Sequence, residues 1–64
     1  MHDFIIETRS GKFLLVASAT DSQEAIKTAF ERAPEFGIPV MARLTSDDPL
    51  EPEPPIAMYL TTRR

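Results

Sequence analysis

The stretch Asp47-Asp48-Pro49-Leu50-Glu51-Pro52-Glu53-Pro54-Pro55 constrains this chain more than any other feature, with four of its six prolines and four of its ten acidic residues. Proline has no backbone donor, fixes its own φ and pushes the residue before it out of the helical region. Neither a helix nor an inner strand can run through such a segment. Regular structure is therefore confined to residues before 47 and after 55, with an extended, solvated acidic loop at 47–55 between them.

The acidity of the chain resides in that loop. Ten acidic against seven basic residues give a formal net charge of −3; without Asp47, Asp48, Glu51 and Glu53 the balance is six against seven, or +1. A local charge of this kind steers association with a basic partner and says nothing about fold.

Residues 3 to 19 read as a β-hairpin. Phe4-Ile5-Ile6 and Phe13-Leu14-Leu15-Val16 flank Arg9-Ser10-Gly11-Lys12, and Gly11 supplies the positive φ that tight turns need. With Ser10-Gly11 as a two-residue loop, Thr8 faces Phe13, Ile6 faces Leu15 and Phe4 faces Ala17. Alternation then puts Phe4, Ile6, Phe13, Leu15 and Ala17 on one face. Ile5, Leu14 and Val16 fall on the other, beside Asp3, Glu7 and Ser18.

A helix follows. Asp21-Ser22-Gln23-Glu24 has the form of a capping box, with Thr20 as an alternative cap, and Ala25, Ile26, Ala29, Phe30 and Ala33 recur on one helical stripe. Pro34 disfavours the helical conformation at Ala33 and ends the helix there. Ile38 to Ser46 and Ile56 to Thr62 alternate with a period of two and read as two further strands joined by the proline-rich loop.

The fold class expected is α+β, with element order β-β-α-β-β. An antiparallel sheet of about four strands, with one helix packed on one face, would make residues 1–64 a single small domain. Phe4, Ile6, Phe13, Leu15, Ile26, Phe30, Leu44 and Met58 form the expected core.

A chain of 64 residues buries only roughly 60% of the surface its unfolded form exposes. It has no cysteine for a disulfide or a thiolate ligand, so oligomerisation is the remaining common way to add stability. No basic stretch followed by an apolar run opens the sequence, and no window reaches the ~18 apolar residues of a membrane span. No membrane association and a cytoplasmic location are the expectations.

Chemical motifs are sparse. His2 is the sole histidine, and without cysteine it has few co-ligands for a metal. Ser10, Ser18, Ser22 and Ser46 fall at turns, strand ends or caps, where local backbone bonding accounts for them. Gly11 and Gly37 are too far apart for a phosphate loop. The acidic loop lacks the spacing of a calcium loop and the desolvated pairing that acid-base catalysis needs. No catalytic residue, cofactor or metal is assigned, and the protein is expected not to be an enzyme.

The run Val16-Ala17-Ser18-Ala19 with Glu24-Ala25-Ile26 and Ala29 resembles the strand-to-helix junction of HicB-type antitoxins. The third strand and the Gly-Cys segment of that family have no counterpart here, and no role is carried over.

The remaining signal is an unusually apolar second sheet face, Ile5, Leu14, Val16, Met41 and Tyr59, rimmed by Asp3, Glu7, Arg43 and Arg63. An apolar centre with a charged rim is how an interface reads. The function expected is a small non-enzymatic protein-interaction module, a regulator or inhibitor. It would engage a protein partner or itself, as a homodimer, through that face or a strand edge, with Asp47, Asp48, Glu51 and Glu53 steering association. The alternative is a weak single-stranded nucleic-acid-binding module using Arg43, Tyr59, Arg63 and Arg64; the acidic balance argues against it.

Overall fold

The computed structural model describes residues 1–45 and 54–62. Two strands, β1 (His2–Thr8) and β2 (Phe13–Ala19), lead into the helix α1 (Ser22–Arg32) and a short 3-10 turn at Pro34–Phe36; β3 (Pro39–Leu44) and β4 (Met58–Thr61) complete an α+β fold.

The sheet order is β3-β1-β2-β4. β1 pairs antiparallel with both β2 and β3, whereas β4 pairs parallel with β2. The sheet is therefore mixed, and the wholly antiparallel arrangement expected from sequence is corrected. β3 and β4 point the same way from opposite edges. β3 and β4 are therefore not the two arms of a hairpin, which would be antiparallel neighbours. Alternation of side chains marks a strand but carries no information about its direction.

The hairpin register also differs from expectation. Gly11, at φ 85°, is the third loop residue rather than the second. The Thr8 N–H donates to the Lys12 carbonyl and the Gly11 N–H to the Thr8 carbonyl, both at 2.9 Å. Arg9-Ser10-Gly11 thus closes a three-residue loop, a type I turn followed by a left-handed residue. Ile6 then faces Leu14 and Phe4 faces Val16. That single step sends Leu14 and Val16 to the covered face and Phe13 and Leu15 to the other.

A β-bulge restores the inward direction at the end of β2. Ser18 sits at φ 62°, and the pairing shifts between His2 and Phe4. Asp3 accepts the Ser18 N–H at 3.2 Å, and the Thr62 hydroxyl donates to the Ser18 carbonyl. With the extra residue absorbed, Ala19 points into the core ahead of the helix.

The helix ends follow the local sequence. The Asp21 carboxylate accepts the Glu24 N–H at 2.8 Å, and Glu24 reaches back to the Thr20 N–H at 3.1 Å and its hydroxyl at 3.0 Å. Ala25, Ala29 and Ala33 pack on Phe4, Ile6, Leu14, Val16, Ala19 and Leu60, with Ile26, Phe36, Ala42 and Met58 partly buried around them. Of the residues expected in the core, Phe13 and Leu15 are only partly buried and Phe30 and Leu44 are exposed. The small alanine face draws the helix against β2, β3 and β1. Phe30 and Leu44 sit beyond that contact.

Candidate functional site

Register assigns the second face of the sheet residue by residue. Arg43 on β3, Ile5 on β1, Leu15 on β2 and Tyr59 on β4 are successive partners and form one row across all four strands. Met41, Glu7 and Phe13 form the adjacent row. The helix packs on the opposite side. Ile5 is 6% exposed, enclosed within its row, while Tyr59 is 65% and Met41 52% exposed. The surface is an apolar band with Arg43 and Glu7 toward the β3 side.

Four of the six interface residues expected from sequence, Ile5, Met41, Arg43 and Tyr59, therefore share this face. Leu14 and Val16 do not. Both have no solvent exposure and belong to the core, because the three-residue turn exchanged the faces of β2. Phe13 and Leu15 occupy their places; the placement of Gly11 at the end of Arg9-Ser10-Gly11 was the signal that could have identified them. Asp3, expected on the charged rim, is engaged with the Ser18 backbone. The steering residues Asp47, Asp48, Glu51 and Glu53, and the basic Arg63 and Arg64, lie outside the described residues, as does Ser46.

Other polar groups are taken up by the fold. Ser10 donates its hydroxyl to the Phe36 carbonyl at 2.6 Å, and the Arg9 N–H donates to the Ile38 carbonyl at 2.8 Å, fastening the hairpin tip to the start of β3. The Lys12 ammonium lies 4.9 Å from the Phe36 ring centroid. His2 meets Phe4 edge-on at 6.4 Å. Along the polar side of the helix, Thr20, Glu24, Lys27, Thr28, Glu31, Arg32 and Thr62 line an open groove. Glu24 is committed to the helix cap there, and Arg32 donates to the Thr61 carbonyl. That groove joins helix to sheet.

Among the described residues, no group of three or more His, Asp or Glu side chains stands together as a metal site. No described helix is long and apolar enough to cross a membrane. Comparison with protein-family models, with curated proteins and with solved structures yields no match.

Proposed function

We propose that the chain is a small, non-enzymatic protein-interaction module of the cytoplasm, a regulator or inhibitor that binds through the uncovered sheet face and pairs with itself through that face or a strand edge. The observation that carries this reading is the open row itself. Tyr59, 65% exposed, stands in line with Leu15 and the buried Ile5, and Met41, 52% exposed, lies in the adjacent row at the β3 edge. Exposed aromatic and methionine side chains around a buried aliphatic centre are what a hot spot needs. The lack of cysteine suits a reducing compartment.

The acidic residues Asp47, Asp48, Glu51 and Glu53 would add long-range attraction toward a basic partner. Exchanging all four for their amides moves the formal charge from −3 to +1. Association should slow and lose much of its dependence on ionic strength; an unchanged on-rate removes these residues from the mechanism.

Arg43 and Tyr59 also share one row, which favours a second reading as a single-strand binder in which bases stack on the aromatic ring. One experiment separates the two. Tagged chain is used to recover partners from lysate, with and without nuclease, beside a Tyr59→Asp variant. Recovery of a protein that survives nuclease and is lost with Tyr59→Asp supports the module. Recovery abolished by nuclease transfers the function to nucleic acid. Full recovery by the variant rules out this face.

A further inference from the structure

The two edges of the sheet are not equivalent. β4 is four residues long, and a short strand is one way in which proteins blunt an edge. β3 runs for six residues, Pro39–Leu44, with proline only at its first position and no lysine. Antiparallel pairing fixes which of its backbone groups remain free. The Thr45 N–H donates to the Asp3 carbonyl at 3.1 Å, and Arg43 and Met41 face Ile5 and Glu7 in the same ladder. Those residues direct their N–H and C=O groups at β1. Ala42 and Leu44 between them direct theirs outward, to the edge that no described strand covers.

We infer that two copies of the chain join through this edge, β3 against β3, in an antiparallel pair centred on Ala42. The inference rests on the interaction-module reading and deepens it by naming the partner as a second copy. Only registers that set outward-directed groups against one another can form hydrogen bonds across a two-fold axis. Centring on Arg43 would place two guanidinium groups directly opposite, which is unfavourable. Centring on Ala42 overlaps residues 40–44 fully, sets Arg43 against Met41 of the second copy, and sets Val40 against Leu44. Leu44, 55% exposed, lies on the helix side by alternation, where Phe30 of the helix is 52% exposed; Val40, 57% exposed, is the unpaired residue between Met41 and Pro39. An axis normal to the sheet keeps both helices on one side, so Leu44 and Phe30 of each copy flank the pair on that side. The irregularity opposite Thr8 ends the pairing at Val40.

Amide hydrogen exchange on the unmodified chain provides the first test. The Met41 and Arg43 amides are protected by β1 in a single copy, whereas those of Ala42 and Leu44 gain protection only on pairing. Protection of Ala42 and Leu44 that rises with protein concentration supports the inference; free exchange at every concentration overturns it. Sedimentation of Ala42→Pro supplies the second test, because this proline removes only an outward-facing donor. Its association should weaken at least about tenfold, two hydrogen bonds being lost per dimer, with circular dichroism unchanged. Dimer retained in Ala42→Pro but lost in Tyr59→Asp overturns edge pairing while leaving the open-face reading intact. If Ala42→Pro does not fold, the exchange measurement decides alone.

Discussion

The two faces of the sheet are built from the same run of residues and end in opposite environments. Along Phe13-Leu14-Leu15-Val16, Leu14 and Val16 are fully enclosed by helix and sheet, whereas Phe13 and Leu15 keep partial access to solvent. Hydrophobicity does not separate them, since all four are large and apolar. What separates them is one residue of register at a turn and the position of a single helix. Apolar character thus states how much surface wants cover, and topology decides which half receives it.

The largest test of this comparison is Val16→Asp. A charge placed in a fully buried, unpaired position costs more than a core of this size supplies, so the variant should be unfolded by circular dichroism at 25 °C. A folded Val16→Asp protein would mean that the covered face had been assigned wrongly. Next comes the matched pair Leu14→Ala and Leu15→Ala. Removing Leu14 should cost about 2–5 kcal/mol as a core truncation, and removing the half-exposed Leu15 roughly 1 kcal/mol. Equal shifts in urea midpoint would erase the distinction between faces. Gly11→Ala is the smallest and acts on the register itself. A Cβ at Gly11 meets no atom within 4 Å, so the cost is that of the left-handed backbone at φ 85°, about 1 kcal/mol. A neutral Gly11→Ala would show that the hairpin loop is not what holds the assignment of faces.

Much of the fold was legible because local chemistry dictated it. Asp21 and Glu24 marked the start of the helix and Pro34 its end, and the structure has a helix at Ser22–Arg32 capped by Asp21. The alternation of Met58, Tyr59 and Leu60 was enough to place Tyr59 outward and Leu60 inward. The site was legible in part for the same reason: Ile5, Met41, Arg43 and Tyr59 share the open face, each on a strand whose parity could be counted. Leu14 and Val16 were misplaced because parity in β2 is inherited across a loop. Ser10-Gly11 and Arg9-Ser10-Gly11 are both acceptable turns, and the choice between them rests on pairing that no local pattern records. Phe30 and Leu44 were expected inside on the strength of hydrophobicity, but the helix seats itself by its alanines and leaves them at the margin.

The amino-acid sequence alone determined the kinds and order of the elements and the helix ends, because each depends on interactions within a few residues. Strand order β3-β1-β2-β4, the parallel pairing of β4 with β2 and the identity of the open face were decided only in the tertiary structure. They depend on which distant segments meet, and a period of two is the same whichever neighbour a strand finds and whichever way it runs.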